Sequence, residues 1–459
     1  MGNQKASDPD GLPSLFCKRY WNIVGNTIID AIKSLFITGR LLKEVNNSLI
    51  LLIPKVKSPS FVNHFRPISL CNTVYKTISK LLVSKLRPLL DKLILPSQST
   101  FIPRRWIAEN QLIVHELLHN FKRRKVKEGF IALKIDLQKA YDRMNWKFLQ
   151  TVLANFGFHE TFVQWVMECV STVSFSVLIN GGKSKQFSPS RGLRQGDPLS
   201  PHLFILCQEV RSKLIDKEHA ARSIKGVKMN VRGPDFTNVM FADDIMLFSK
   251  ANCSDVLILN SCLEKYCNWS RQLVNRSKSG IIFSKMVNLN QKRRIKEVMQ
   301  MKKVPINVKY LGTPLFTTRS RAKDFNYLQE KLESWLNGWR SKSLSWAGHC
   351  TLIKSVAQAI PSYTFSTFDV STTMCDKLDS TTRRFWWSPK KSKGRYLAWK
   401  SWDHLCKPKV CGGLGFRKAK KFNEAFIAKL TWIVASKRTS PLRSKYKVTN
   451  RWLWDEPSC

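Results

Sequence analysis

Asp136, Asp243 and Asp244 are the residues of this sequence best suited to chemistry. Asp136 closes the run Phe130-Ile-Ala-Leu-Lys-Ile-Asp136, and Asp243-Asp244 interrupts the apolar stretch from Val239 to Phe248. Adjacent aspartates repel each other, and an acid at the end of an apolar strand has no packing reason to be there. Three such acids suit a hard divalent cation, which one or two carboxylates hold together with substrate phosphates. Two cations about 3.5–4 Å apart stabilise the attacking and leaving oxygens of an in-line phosphoryl displacement. An Asp-Asp pair also makes a hairpin turn with no ligand at all, because Asp favours turns. Taken alone, the pair leaves both readings open.

The elements that would carry these acids are legible from pattern. Phe130 to Asp136 is mostly apolar, as a strand buried on both faces would be. Val239 to Phe248 reads as strand, tight turn, strand, with Ala242-Asp243-Asp244 at the turn. Upstream, Leu49 to Ile53 is a short strand stopped by Pro54, and Val74 to Leu95 has a helical pattern running to Pro96. Asn110 to Lys122 is a further helix, ending in the cluster Lys122, Arg123, Arg124, Lys125 and Lys127. A helix from about Trp146 stops at Gly157. Val173 to Ile179 is a strand followed by Asn180-Gly181, a hairpin-turn signal. Asp197-Pro198 reads as a helix start with Asp as cap. Beyond Lys309-Tyr-Leu-Gly312 the character changes: Phe325, Leu328, Leu332, Trp335 and Trp339 recur at helical spacing. Ten of the fifteen Trp lie from Trp335 onward, among Lys and Arg. They fill a core or stack on bases.

Composition narrows the function classes. The 459 residues include 77 Lys+Arg against 32 Asp+Glu, a net charge of +45. With 43% hydrophobic residues the chain can bury a core, which excludes a disordered basic tail. The charge therefore points to a polyanionic partner, nucleic acid first. No apolar run is long enough to span a membrane, and MGNQKASD has no secretory h-region. Ala6 stands where an N-myristoylation site needs Ser or Thr. The twelve Cys are scattered; Cys262/Cys267 and Cys406/Cys411 lack a second pair at zinc spacing. Reduced thiols in a nuclear or cytoplasmic protein follow. No protein partner is inferable.

The blocks around the acids resemble the reverse transcriptase of a plant long interspersed element, a non-LTR retrotransposon. In family order they are Leu52-Ile-Pro-Lys55, Phe65-Arg-Pro-Ile-Ser-Leu70, Leu133-Lys-Ile-Asp-Leu-Gln-Lys-Ala-Tyr-Asp142 and Arg191-Gly-Leu-Arg-Gln-Gly-Asp-Pro-Leu-Ser-Pro201. Phe241-Ala-Asp-Asp244, Lys309-Tyr-Leu-Gly312 and Gly412-Gly-Leu-Gly-Phe416 follow. The resemblance runs from Asp8 to about Tyr446. It implies an α+β right-hand polymerase: fingers, a palm with an antiparallel sheet, and a thumb with a helical, Trp-rich basic C-terminal module. The boundaries expected are a helical lead-in over 1–45, fingers and palm over 46–316, and thumb with C-terminal region over 317–459.

The resemblance also implies roles. Asp136 and Asp243 would be the principal ligands of two Mg2+ ions, with Mn2+ able to substitute, and Asp244 would stand beside them. The partners would be an RNA template, a DNA primer and dNTPs. Arg66 matches the fingers arginine that reaches the triphosphate, where a guanidinium fork fits phosphate geometry. Lys55 and Arg105 are further candidates for that phosphate-facing wall. Tyr141 matches the steric gate that leaves no room for a ribose 2′-hydroxyl. Gln195 would touch the nucleotide or the templating base, and Lys278 sits where the family has a lysine near the leaving phosphate.

The sequence departs from the family pattern in places. Gly is usual where this chain has Arg104, Val210 and Arg271, and His is usual at Asn238. Trp346-Ala-Gly-His-Cys350 replaces a more usual Ala-Gly-Arg. Gly replacement is costly wherever the backbone needs positive φ. Such losses suggest a decaying element copy, and the expected endonuclease and RNase H segments are not visible, so the chain reads as a polymerase fragment. A catalytically inactive RNA- or hybrid-binding remnant and a pseudogene product are the alternative readings.

Overall fold

The computed structural model describes residues 11–123, 129–229, 233–318, 321–340, 344–389 and 394–435. The side chains of the basic cluster at 122–127 and the N-terminal MGNQKASD segment lie outside the described residues. The chain is α+β and forms two compact units, Met1–Arg105 with Asn120–Lys303, and Trp106–His119 with Val304–Cys459.

The first unit holds two sheets. One has the strand order Phe65–Cys71, Asn47–Pro54, Ser174–Ile179, Gly182–Lys183. The first two strands pair antiparallel, with Arg66 opposite Ile53, and Asn47–Pro54 runs parallel to Ser174–Ile179. Asn180 and Gly181 both take positive φ, +49° and +84°, in the hairpin that ends this sheet.

The second sheet has the order Lys302–Lys303, Gly280–Phe283, Phe130–Ile135, Asp244–Lys250, Asn238–Phe241. Its three central pairings are antiparallel. The middle strand is buried along almost its whole length because helices cover the sheet; Ile131, Ala132, Leu133 and Ile135 are fully buried. Ile131, Leu133 and Ile135 share one core with Leu203, Phe204, Leu206 and Ile215 of helix Ser200–Ala220 and with Leu259 and Leu263 of helix Cys253–Ser270.

Three sequence expectations change in this unit. The helical pattern of Val74 to Leu95 is broken into Thr73–Leu86 and Leu90–Leu93. Pro88 lies between them and has no N–H to continue the ladder. The helix expected at Asp197-Pro198 starts at Ser200, and Asp197 caps it from outside by accepting the Ser200 N–H at 3.2 Å. The positions where the family has Gly also divide. Arg104 and Arg271 hold φ of +67° and +59°, whereas Val210 sits inside helix Ser200–Ala220 among residues of ordinary φ. Arg271 is the left-handed C-cap of helix Cys253–Ser270, the position glycine fills best.

The second unit is mainly helical. Helix Asn326–Arg340 buries Leu328, Leu332, Leu336 and Trp339 beside Phe325, against Phe365, Phe385 and Trp386. Trp335, expected on that face, is 49% exposed, and Leu336 takes its place. The core reading holds for Trp339, Trp386 and Trp402, which are buried, whereas Trp346, Trp399 and Trp432 are exposed. Gln111 fixes residues 106–119 to this unit, donating to the Leu311 carbonyl and accepting from the Thr367 hydroxyl.

Arg271→Gly and Arg104→Gly are each expected to stabilise the protein by about 1 kcal/mol. Left-handed backbone costs a non-glycine residue roughly 1–2 kcal/mol, and the looser unfolded chain returns part of that gain. Val210→Gly, at a helical position, is expected to destabilise. Urea unfolding of the three variants checks the contrast in sign.

Candidate active site

The hairpin Asn238–Phe241/Asp244–Lys250 turns through Ala242 and Asp243 alone, since Phe241 pairs with Asp244. Ala242 accepts a φ of +56° to make so short a turn. On its other edge Asp244–Lys250 pairs with Phe130–Ile135, with Ile245 opposite Ile135. The next residue along that central strand is Asp136. The topology thus delivers Asp136 and the Asp243-Asp244 turn to the same end of one sheet. Asp136 is fixed from behind: its N–H donates to Ser279 Oγ at 3.0 Å, and its carbonyl accepts from Asn275 N–H at 2.8 Å.

Electrostatics reports the proximity. Partial desolvation raises the Asp243 carboxyl pKa, and the Asp136 charge raises it further, against the lowering effect of Lys134 and Arg66. Asp244 is raised by desolvation, Asp243 and Asp136, with Lys134 opposing. Lys134 Nζ lies 3.8 Å from Asp244 Oδ1. Lys134 is the one charged side chain of the strand Phe130–Ile135. A lone Lys in a buried strand was a signal available in the sequence.

The full three-ligand set expected from sequence is not assembled: among the described residues no three His, Cys, Asp or Glu side chains stand together at metal-ligand spacing. Asp244 faces a lysine, so its charge is matched within the protein. The donor chemistry that Asp136 and Asp243 offer is oxygen only, the kind a hard cation takes when nucleotide phosphates and water complete its shell.

Arg66, on strand Phe65–Cys71, is exposed and lowers the Asp243 pKa through its charge. Burial raises the Tyr141 phenol pKa, and the Asp243 charge raises it further. Its ring stacks on Phe204 at 4.7 Å with the planes 15° apart. Gln195 Nε2 donates to Asp142 Oδ1 at 3.1 Å, and its carbonyl accepts the Ser69 N–H at 2.7 Å. With Pro67, Asp142 and Asp197 it lines a cavity of about 230 Å³. Lys278 is exposed in the turn that precedes Ser279, the residue holding Asp136.

Two further candidates engage backbone oxygens. Lys55 Nζ donates to the Asn63 carbonyl, within its own strand connection. Arg105 corrects the sequence reading. Its side chain is 5% exposed and its guanidinium donates to the carbonyls of Leu95 and Gln98 at 2.6 Å and of Ile94 at 2.9 Å, with Asp91 Oδ1 at 2.9 Å. A fork committed to four oxygens has little left for a triphosphate.

The loop Arg191–Asp197 is built by close approach. A Cβ at Gly192, where φ is +100°, would meet the Asp142 carbonyl oxygen at 2.8 Å. Gly192 N–H donates to Met144 O, Leu193 N–H to Tyr141 O, and Trp146 Nε1 donates to Gly192 O, each at 2.8 Å. Arg194, with no role assigned from sequence, is buried beneath. It donates to Asn46 Oδ1 at 2.8 Å and the Cys169 carbonyl at 2.7 Å, with its guanidinium carbon 3.8 Å from the Tyr75 ring centre. Those partners are up to 148 positions away in sequence, so no local pattern announces them.

Residues 53–315 match the family model of reverse transcriptase (RNA-dependent DNA polymerase). The chain belongs to the reverse transcriptase family. It is 27% identical over 362 residues to the 149 kDa protein of transposon TX1 from Xenopus laevis, covering 78% of this chain and 27% of that protein. It is 27% identical over 227 residues to the Pol polyprotein of type-2 retrotransposable element R2DM from Drosophila melanogaster, covering 49% of this chain and 20% of the other. The domain is therefore a reverse transcriptase of non-LTR retrotransposon type, and the chain spans about a quarter of the length of these relatives. Apo telomerase from Candida tropicalis is similar over 90% of this chain and 72% of its own, with a TM-score of 0.43 and 13% identity. Among the described residues no helix is long and apolar enough to cross a membrane.

Asp243→Asn should raise the melting temperature at neutral pH, because the folded state holds that carboxylate at a penalty. The sign follows from linkage. Where the folded pKa exceeds the unfolded one, stability falls as pH rises from about 4 through the folded value and then stays at the lower level. The gain from Asn is therefore largest at pH 7 and vanishes below about pH 4, as thermal scans across pH will show. Gly192→Ala should destabilise by about 2 kcal/mol or more from clash and left-handed strain together, read by urea unfolding.

Proposed function

We propose that this chain is an RNA-directed DNA polymerase, adding deoxynucleotides to a DNA primer 3′-hydroxyl along an RNA template. The observation that carries the reading is the meeting of Asp136 and Asp243 at one end of the central sheet, in a chain of the reverse transcriptase family. In this reading the first unit supplies fingers and palm and the second the thumb, and the source is a plant long interspersed element.

Asp136 and Asp243 would hold divalent cations, Mg2+ with Mn2+ as substitute, which when bound lower the pKa of the primer hydroxyl and offset charge on the triphosphate. The protein's own part is positioning and electrostatics. Arg66, exposed on the neighbouring sheet and lowering the Asp243 pKa through its charge, would clamp the triphosphate. Tyr141, held flat against Phe204, would occupy the space a 2′-hydroxyl needs. Gln195 would face the templating base from the loop fastened to Ser69 and Asp142. Lys278, beside the turn that fixes Asp136, would meet the leaving pyrophosphate. Lys134 would keep Asp244 charge-matched, which leaves Asp136 and Asp243 as the pair for the cation. The +45 charge supplies the template and primer affinity, which falls steeply with salt.

Primer extension on poly(rA)/oligo(dT) tests the reading. The wild type should extend in Mg2+ and in Mn2+, and Asp243→Ala should lose at least 100-fold in rate. Extension that survives this change removes the site assignment. No extension by the wild type, with salt-sensitive RNA binding retained, selects an inactive RNA-binding remnant instead. Tyr141→Ala should raise ribonucleotide incorporation relative to deoxynucleotide; unchanged discrimination removes the gate.

A further inference from the structure

One side chain, that of Gln98, reaches the Ala242-Asp243 turn from the interior. It is fully buried. Its Oε1 accepts the Ala242 N–H and the Thr100 N–H, both at 3.1 Å. Two backbone donors converging on one atom require an acceptor there, so the amide orientation is dictated by its surroundings. The segment around it is laid along the outer strand of the sheet: Met240 N–H donates to Ser97 O at 2.8 Å, and Ser99 N–H donates to Met240 O at 3.2 Å. Residues 97–99 thus extend the sheet beside the hairpin at its tip.

That segment is in turn anchored by Arg105. Its fork spans the carbonyls of Ile94, Leu95 and Gln98, gripping the backbone of Gln98 at 2.6 Å. A chain of contacts follows: Arg105 to the backbone of residue 98, the Gln98 side chain to Ala242 N–H, and Ala242 to Asp243 through one peptide bond. The turn needs such a brace, because Ala242 holds a positive φ that a residue with a Cβ adopts only when its surroundings over-determine it.

We propose that Gln98 is a positioning residue of the polymerase site, setting the Asp243 carboxylate by accepting the Ala242 N–H, and that Arg105 acts through it. The catalytic consequence rests on the polymerase reading; the brace itself does not. Losing the Gln98 oxygen leaves two N–H groups buried without an acceptor and frees the turn to relax. Arg105 keeps a part in the reaction, but through the backbone it holds rather than through a phosphate.

Two readouts separate these statements. Gln98→Met keeps the volume and removes the acceptor; Gln98→Glu keeps an oxygen acceptor. Hydrogen exchange without nucleotide or metal should be at least tenfold faster over 238–247 in Gln98→Met than in the wild type, with Phe130–Ile135 unchanged, and close to wild type in Gln98→Glu. Unchanged exchange over 238–247, equal acceleration in both strands, or equal acceleration in both variants overturns the brace. In primer extension Gln98→Met should lower kcat at least tenfold with KM for dNTP within threefold of wild type. Arg105→Lys should follow the same kcat pattern and also speed exchange over 94–100. A rise in KM with kcat unchanged in Arg105→Lys would return Arg105 to the phosphate wall and overturn its part. A wild type that fails to extend counts against the polymerase reading alone, since the exchange comparison still decides the brace.

Discussion

The strand pairing that brings the Asp136 and Asp243 carboxylates to one end of a sheet is the constraint on which this structure depends. Asp136 and Asp243 are far apart in sequence, and each raises the cost of ionising a neighbour. No surface requirement brings them together; the pairing of Phe130–Ile135 with Asp244–Lys250 does. A buried apolar strand fixes its register strongly, because a slip of one residue would turn its side chains to the wrong face. The core thereby sets where the acids stand, and the protein accepts the repulsion. Unfavourable charge placement maintained by a well-packed core marks functional sites more often than structural ones.

Around that constraint the remaining features fall into two groups. Lys134 and Arg66 offset the charge, one from within the same sheet and one from the neighbouring strand pair. Gln98, Ser279 and Asn275 hold backbone, at Ala242 and at Asp136. Charge compensation by cations that are not themselves ligands leaves carboxylate oxygens accessible, which a purely structural ion pair would not. The loop Arg191–Asp197 ties strand Phe65–Cys71 to the turn segment that follows Asp136: it bonds to Ser69 on one side and to Tyr141 and Met144 on the other. Its two glycines are there because carbonyl oxygens of Asp142 and Ser69 occupy the space a Cβ would need.

Local pattern was enough to read the strands that carry the acids and the turn between them, because apolar runs and turn residues act over a few positions. The break at Pro88 is equally local, a residue without an N–H set inside an otherwise continuous helical spacing. What sequence could not reveal are contacts between distant segments. Arg105 reads as one more basic residue until its carbonyl partners are seen, and Gln98 as one more polar one. Trp335 shows the limit of periodicity: spacings of three and four fit both it and Leu336, and only packing against Phe385 and Trp386 chooses. Positions 104, 210 and 271 looked alike in sequence, yet of the three only 104 and 271 take left-handed backbone.

The proposed reading has Asp136 and Asp243 together holding the divalent cations of the polymerase site. Iron-mediated hydroxyl-radical cleavage tests it directly, because Fe2+ bound in place of Mg2+ cuts the backbone nearest to it. That reading predicts cuts in two segments, one within 133–139 and one within 240–246, both suppressed by excess Mg2+ and both lost in Asp136→Asn. Cleavage at only one of these segments, or cuts that persist in Asp136→Asn, would contradict it.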